Sequence, residues 1–176
     1  MTKLQIVGKN AAILRKIAKP VPLKDIGSKK IGSIITRMKR ALHTEKDGVA
    51  IAAPQIGISL RIFVVSGEAL AMVKKKKVDP TKELNDLVFI NPEIIKSSKK
   101  KKGVEEGCLS VRWLYGQVLR HEKVIIKAYD ESSKAVTVGA SGLLAQIFQH
   151  EIDHLNGILF TDKAENIRDL PPEKDL

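Results

Sequence analysis

The side chains best suited to catalysis lie near the end of the chain, in the sequence HEIDH at positions 150–154. On a helix, a spacing of four residues places His150 and His154 on the same side, about 5–6 Å apart at Cβ, which suits one tetrahedral metal ion. Glu151 lies between them and can act as a general base toward a water on that metal. The pattern therefore predicts a metal-dependent hydrolase. The alternative is a pair of core histidines beside an incidental glutamate.

A catalytic metal site of this kind needs a third protein ligand and an open position for water. In the metzincin pattern the third ligand would be a histidine at position 160, where this chain has Phe160. Thermolysin-like enzymes use a downstream glutamate, but Glu165 and Glu173 lie in a short tail with no following helix. The other candidate is Cys108, in the sequence EGCLS at 106–110. A lone cysteine is most often a small buried hydrophobic residue, yet beside this motif we favour Cys108 as a thiolate ligand.

The two histidines must be positioned by a helix, and the sequence predicts one near the carboxyl end. Ser141 is a good N-cap, and Asn156-Gly157 is a good C-terminal stop. At about 100° per residue, one half of this helix is apolar and contains Leu143, Leu144, Ile147, Phe148, Ile152 and Leu155. Gln149, Asp153 and Asn156 fall on the other half. Both histidines lie at the edge of the buried half, where polar rings facing a core need partners.

The rest of the chain predicts further helices and several strands. A stripe of apolar residues indicates an amphipathic helix, and its members are Ile31, Ile34, Ile35, Met38 and Leu42. Asn10 can begin a short helix that continues through Ile17. Stretches rich in Val and Ile predict strands at 61–66, 87–91, 117–130 and 135–139. This order indicates an α+β fold with mainly antiparallel strands packed around a central C-terminal helix that carries the HExxH sequence.

Composition limits the class of protein. The chain has 176 residues, with 31 Lys and Arg against 20 Asp and Glu, which gives a net charge of +11. This length suits a single catalytic domain over residues 1–176. The single cysteine excludes an internal disulfide framework, and no apolar run is long enough for a membrane span. We therefore expect a soluble, basic protein of an intracellular compartment.

Ten lysines and four acidic residues lie between Lys74 and Lys102. Runs of four lysines at 74–77 and 99–102 flank a probable strand pair near Asn91. The simpler interpretation is a lysine-rich insertion whose charges keep two loop ends solvated. The other interpretation is an electrostatic surface for RNA, such as the surface of a ribosome.

Three motifs occur in a specific order along the chain: GVAIAAPQ at 48–55, EGCLS at 106–110 and QHEIDHLNG at 149–157. Together they resemble the three signature motifs of the peptide deformylases. Enzymes of that family remove the formyl group from the N-terminal methionine of nascent bacterial or organellar proteins and release formate. The resemblance therefore implies a cytoplasmic protein of bacterial type, or the mature form of an organellar one. Two other functions compete with this hypothesis: an HExxH metallopeptidase that cleaves ordinary peptide bonds, and a non-catalytic basic RNA-binding domain.

The resemblance implies a role for each motif residue around the metal. Cys108, His150 and His154 are implied as the ligands of one divalent ion per chain, and Glu151 as the proton shuttle. The resemblance favours Fe(II). A site with one thiolate and two imidazoles also suits Zn(II), Ni(II) or Co(II), and the sequence does not choose among them.

The resemblance also implies contacts to the reacting group and the peptide. The side-chain amide of Gln55 and the backbone N–H of Leu109 would hold the developing oxyanion. Gly48 and Val49 would lie against the formyl-methionyl backbone. Without the resemblance, Gln55 would be interpreted as a loop-end amide that satisfies backbone groups.

Four further residues are expected to support the site. Arg120 lies where the family keeps an arginine that pairs with the glutamate of EGC, which is Glu106 here. The alternative for these two residues is an ordinary ion pair. Leu143 and Ile147 are the best helical candidates for an apolar methionine pocket, with plain core packing as the alternative.

The chain departs from the family pattern at several positions. Ala50 replaces a usual glycine in the first motif, and its methyl group could narrow the cleft or demand an unfavourable backbone angle. After EGCLS the family commonly has a proline and, a little later, an arginine, whereas this chain has RWLY at 112–115. Gln146 occupies a position where an apolar residue commonly lines the methionine pocket. These differences concern substrate binding rather than metal chemistry.

Overall fold

Two antiparallel sheets surround a central helix in the computed structural model, which describes residues 5–73 and 84–172. The helices are α1 (Lys29–His43), α2 (Gly67–Val73) and α3 (Gly142–Leu155). The strands are β1 (Ala50–Ala52), β2 (Ile62–Val65), β3 (Leu87–Ser97), β4 (Lys101–Glu106), β5 (Leu114–His121), β6 (Lys123–Tyr129), β7 (Ala135–Ser141) and β8 (Glu165–Asp169). Single 3-10 turns occur at Ala12–Arg15, Leu23–Asp25, Ala53–Ile56 and Phe160–Asp162.

The larger sheet has the strand order β1-β2-β3-β6-β7, and every neighbouring pair is antiparallel. The register of β3 against β6 shifts after Ile90, and Asn91 adopts a positive φ of 52° there. Asparagine tolerates this conformation better than most residues. The smaller sheet has the order β4-β5-β8. Glu106, the last residue of β4, pairs with Gly116 of β5, so the segment that contains Cys108 begins at the end of this sheet.

Helix α3 packs on one face of the larger sheet, and α1 packs on the other. Phe148 of α3 lies in a buried aromatic cluster with Phe63 of β2 and Phe89 of β3, and the ring centroids are 4.9 to 5.8 Å apart. On the opposite face, the apolar stripe of α1 packs against residues of β1, β2 and β3 that include Ile51 and Val64. The alternating side chains of β1 and β2 therefore supply two separate cores.

The predicted fold class is confirmed, because mainly antiparallel strands surround helix α3, whose sequence includes HEIDH. The predicted apolar stripe of α1 is also confirmed, since all five of its residues are buried. The strand predicted at 117–130 is in fact two strands, β5 and β6, and the strand predicted at 87–91 continues to Ser97. The predicted helix from Asn10 to Ile17 is wrong, because only the 3-10 turn Ala12–Arg15 forms.

The lysine-rich segment lies partly within the structure. Residues 74–83, including the first lysine run, lie outside the described residues. The second run begins in the connection between β3 and β4 and continues into β4. Within residues 5–73 and 84–172, none of the helices combines the length and the hydropathy needed to cross a bilayer.

Replacing Phe148 with Ala should lower the free energy of unfolding by about 3–5 kcal/mol, because lost burial and the remaining cavity both destabilise the core. Urea denaturation followed by circular dichroism measures this loss. Ile17→Ala is the control, since Ile17 is 73% exposed and its truncation should change stability by less than about 0.5 kcal/mol. Equal stability of the two variants would show that the aromatic cluster does not hold α3 on the sheet.

Candidate metal centre

Helix α3 and the segment after β4 bring three metal-ligating side chains together. His150 and His154 project from α3 one turn apart, and their ring centroids are separated by 4.9 Å. Cys108 approaches them from the smaller sheet, with its Sγ atom 3.2 Å from Nε2 of His154. One ligand atom from each of the three side chains lies within 4.8 Å of the other two. The structure thus assembles the three residues that the sequence proposes as ligands.

These three donors suit one divalent ion. With bonds of about 2.3 Å to sulfur and about 2.0–2.1 Å to nitrogen, a tetrahedral ion separates its ligand atoms by roughly 3.3–3.6 Å, so small side-chain adjustments complete the site. Burial raises the pKa of the Cys108 thiol, but the charges and hydrogen bonds of His154 and His150 outweigh burial and hold this pKa well below its usual range. A lowered pKa favours the thiolate, which is the form that binds metals.

Glu106 fixes the orientation of the His150 ring. Its Oε2 atom lies 2.9 Å from Nδ1 of His150, so Nε2 is the ring nitrogen that remains for a metal. Arg120 donates hydrogen bonds from Nε and Nη2 to the two carboxylate oxygens of Glu106, at 2.7 and 2.9 Å. Burial raises the pKa of Glu106, but the hydrogen bonds from Arg120 and His150 lower it to about 2. The carboxylate therefore stays charged beside the ring.

Asp153 and Lys163, to which sequence reasoning gave no role, extend this ion pair. Asp153 accepts a hydrogen bond from Nη1 of Arg120 at 2.6 Å and two from Nζ of Lys163 at 2.7 and 2.8 Å. The placement of Asp153 on the half of α3 away from the core is wrong, because this side chain is buried. Charges alternate from Lys163 through Asp153, Arg120 and Glu106 to the ring of His150. The sequence signal for Asp153 was its position one turn after His150.

Glu151 lies between His150 and His154 in the sequence of α3, and its side chain is buried. Burial raises the pKa of this carboxyl group to about 7, although the charges of His150 and His154 oppose the shift. A group in this range can take up and release a proton near neutral pH. Among the described residues, only Oε2 of Glu151 and Nδ1 of His154 are buried side-chain polar atoms with no hydrogen-bond partner.

The side-chain amide of Gln55 directs its nitrogen toward the cysteine. Its Oε1 atom accepts a hydrogen bond from the backbone N–H of Ala52 at 2.8 Å, which fixes the orientation of the amide. Nε2 then lies 3.2 Å from Oγ of Ser110 and 3.5 Å from Sγ of Cys108. Gln55 therefore satisfies a backbone group, as the simpler interpretation expects, and also reaches the second motif.

A cavity of about 340 Å³ opens onto the three groups Cys108, His150 and Glu151. The other sequence-predicted site residues in its walls are Val49, Gln55, Glu106, Leu109, Leu143 and Ile147. Ile147 is also buried in the core, whereas Leu143 is 44% exposed. Gly48 directly precedes Val49 in the chain. A Cβ atom at Gly48 would lie 2.9 Å from the backbone oxygen of Leu42, so any side chain there would clash with the carboxyl end of α1.

The residues that depart from the family pattern also lie in this cavity. Ala50 belongs to the extended strand β1, so the unfavourable backbone angle considered for it does not arise. Gln146 lines the cavity and donates a hydrogen bond from Nε2 to the backbone oxygen of Glu105 at 2.8 Å. Tyr115 packs over Gly107, where a Cβ atom would lie 2.7 Å from the tyrosine ring.

The three donors, the buried carboxyl group and the cavity are together typical of a metal-dependent hydrolase.

Comparison with known proteins identifies the family within this class. The family described as polypeptide deformylase matches residues 3–169. A peptide deformylase of Symbiobacterium thermophilum is 44% identical over 168 residues, which cover 96% of this chain and 70% of that protein. The chloroplastic peptide deformylase 1A of Solanum lycopersicum is 39% identical over 162 residues, which cover 90% of this chain and 58% of that protein.

A solved structure shares the fold as well. The crystal structure of a class I type b peptide deformylase from Acinetobacter baumannii, with Met-Ala-Ser bound, aligns with a TM-score of 0.78 at 35% identity. The alignment covers 91% of this chain and 97% of that one. The chain therefore belongs to the peptide deformylase family. It is an enzyme that removes the N-formyl group from nascent polypeptides, and the resemblance seen in the three motifs is confirmed.

Replacing Glu106 with Gln should weaken metal retention by about 10–100-fold, because the neutral amide is a poorer partner for the His150 ring. Competition against a chelator measures the affinity. Glu105→Gln is the matched control, since Glu105 is the preceding residue but pairs with Arg168 at the surface. Equal affinities for the two variants would contradict the role of the Glu106–His150 contact.

Proposed function

We propose that Cys108, His150 and His154 together hold one divalent metal ion for the deformylation reaction, and that Glu151 moves the proton. The observation that carries this proposal is the proximity of one sulfur and two ring nitrogens, all within 4.8 Å of one another. When bound, such an ion lowers the pKa of a coordinated water toward ~7 and polarises a carbonyl oxygen. A thiolate with two imidazoles is compatible with Zn(II), Ni(II) and Co(II), and the family resemblance favours Fe(II).

We assign the role of proton shuttle to Glu151, whose side chain lines the cavity. Its carboxylate takes a proton from the water that attacks the formyl carbon. Its pKa near 7, set by burial, keeps this proton available for the next step. Glu151 then gives the proton to the departing amine, so that the products are formate and a free N-terminus.

We assign two donors to the oxyanion that develops on the formyl group. The hydrogen bond from Ala52 fixes the plane of the Gln55 amide, so donation to the oxyanion requires only that Nε2 give up its 3.5 Å contact with Sγ of Cys108. We assign the second donor to the backbone N–H of Leu109, which directly follows Cys108 and lines the same cavity. One preorganised donor of this kind contributes about 2.7–4 kcal/mol to lowering the barrier.

The cavity walls supply the contacts to the peptide. We place the formyl-methionyl backbone along Gly48 and Val49, where the chain enters β1. We place the methionine side chain against Leu143 and Ile147 of α3, both of which line the cavity. The carbonyl carbon of a formyl group bears a hydrogen atom where the carbonyl carbon of a peptide bond bears Cα. A narrow site at the metal therefore accepts the formyl group and excludes the bulkier acyl groups of internal peptide bonds.

Glu151→Gln should lower kcat for formyl-Met-Ala-Ser by at least about 10²-fold, because general acid–base catalysis typically contributes 10²–10⁴-fold. Formate release measures kcat, and metal analysis of the same sample shows whether the ion is retained. The control is Glu165→Gln, which makes the same change of charge at an exposed position of β8 and should leave kcat unchanged.

The same assay on acetyl-Met-Ala-Ser separates deformylation from ordinary peptide cleavage. The unchanged protein should release formate and leave the acetylated peptide intact. Cleavage of the acetyl group or of internal bonds would favour a general metallopeptidase, and full kcat in Glu151→Gln would remove Glu151 from the reaction.

We also infer that the enzyme works in the cytoplasm at the ribosome, where formylated chains emerge, and that its basic surface contacts RNA. Lys99 is exposed in the connection between β3 and β4, and Lys101 and Lys102 are exposed at the start of β4. The exposed Lys96 lies close to them in the sequence. Lys100 pairs with Glu122 at 3.1 Å. A cluster of like charges of this kind attracts phosphate groups and makes binding dependent on salt.

Changing Lys99, Lys101 and Lys102 to Glu should reduce co-sedimentation with ribosomes, and the remaining difference from wild type should shrink as salt rises from about 50 to 200 mM. The control changes Lys24, Lys29 and Lys30 to Glu, because these exposed lysines near the start of α1 give the same change in net charge. Equal binding by the two variants would show that net charge, rather than this surface, attracts the ribosome.

A further inference from the structure

Arg112 joins the two chain segments that form the mouth of the cavity. Its Nη1 atom donates a hydrogen bond to Oδ2 of Asp47 at 2.7 Å, and its Nη2 atom donates one to Oε2 of Glu45 at 2.6 Å. The two carboxylates follow α1 and precede Gly48, whereas Arg112 lies four residues after Cys108. One guanidinium group therefore connects the segment just before the first motif to the segment just after the second.

The guanidinium group is held in place by its surroundings. The side chain of Arg112 is 28% exposed, and its guanidinium carbon lies 5.2 Å from the ring centre of Trp113. Trp113 adopts a φ of 67°, an unusual conformation for a residue of this size, and lines the cavity beside Arg112 and Asp47. Hydrogen bonding between Arg112 and Asp47 lowers the pKa of the carboxyl group and raises that of the guanidinium, so both stay charged.

The cavity walls are thus connected at two depths. Near the metal-ligating groups, Gln55 reaches Cys108 and Ser110. At the mouth, Arg112 reaches the loop before β1, where the Gly48 amide donates to the backbone oxygen of Glu45 at 3.1 Å. Val49 directly follows Gly48 and lines the cavity. Displacement of the loop at 45–48 would therefore change the distance between Val49 and the cavity wall that contains Arg112.

We propose that Arg112 is a positioning residue that sets the width of the cavity mouth and thereby the affinity for the peptide substrate. The inference rests on the proposed placement of Val49 at the substrate. Isolated exposed ion pairs contribute little, but here a single planar fork holds two carboxylates across a cleft, which a lysine cannot reproduce. The bridge acts on binding, since Arg112 is not assigned to the reacting atoms.

The test compares Arg112→Leu with Lys39→Leu, which breaks the exposed pair of Lys39 with Glu131 and leaves the cavity mouth intact. With formyl-Met-Ala-Ser, Arg112→Leu should raise KM about three- to tenfold, as expected for losing two ion pairs of ordinary strength. Its kcat should stay within about twofold of wild type, and Arg112→Lys should restore only part of the affinity. Lys39→Leu should leave both constants unchanged.

Amide hydrogen exchange gives a measurement that does not depend on activity. Exchange at Gly48 and Val49 should become faster in Arg112→Leu and stay unchanged in Lys39→Leu, because local opening of the loop controls it. Added salt should raise KM and speed this exchange in wild type but change neither in Arg112→Leu, since partly exposed charges are screened.

The double variant Glu45→Gln with Asp47→Asn breaks the same bridge from the other side and keeps Arg112. It should match Arg112→Leu in KM and exchange, and combining all three changes should add nothing further. Unchanged KM and exchange in either variant, or a loss confined to kcat, would overturn the proposal. Faster exchange at Gly48 and Val49 with an unchanged KM would instead refute the proposed placement of Val49 at the substrate, while the exchange result would still establish the bridge.

Discussion

A buried guanidinium group is the constraint on which the site depends. Arg120 is only 4% exposed, and leaving a charge unpaired at such depth typically costs about 3–5 kcal/mol. Glu106 at the end of β4 and Asp153 in α3 both accept its hydrogen bonds, so the smaller sheet and the helix must meet around it. Cys108 follows Glu106 by two residues, and Asp153 lies between the two histidines. Satisfying one charge therefore brings the sulfur to the imidazoles.

Much of the fold follows from the spacing of apolar residues. The stripe of α1 and the two ends of α3 were predictable because they depend on local sequence alone, although the side chain of Ser141 makes no capping hydrogen bond. Of the three residues assigned to the polar half of α3, Asn156 is exposed, but Gln149 and Asp153 are buried, because a helical wheel assumes that only one side of the helix is covered. Gln149 is buried on that half because its side chain bonds both the N–H and the carbonyl group of His121. When a second sheet covers the other side of a helix through polar contacts, the spacing of apolar residues does not reveal that this side is buried.

The candidate site was predictable where residue type and spacing carry the chemistry. The HExxH spacing and the EGC turn pointed to the donors that the structure assembles. The roles of Lys163 and Arg112 could not be predicted in this way. Their ion-pair partners are distant in the sequence, and the sequence does not show which of the acidic residues each one contacts. The helix predicted after Asn10 is wrong because the conformation of this segment also depends on residues that are distant in the sequence. Its segment packs a single turn, with Leu14 fully buried, against a separate small core.

X-ray absorption at the metal edge tests the central claim most directly, namely that Cys108, His150 and His154 share one ion. For active protein loaded with a single divalent metal, the account predicts one sulfur neighbour at about 2.3 Å and two imidazole nitrogens at about 2.0–2.1 Å. A spectrum from active enzyme with only oxygen and nitrogen neighbours would contradict the account, because the sulfur would then lie outside the metal site.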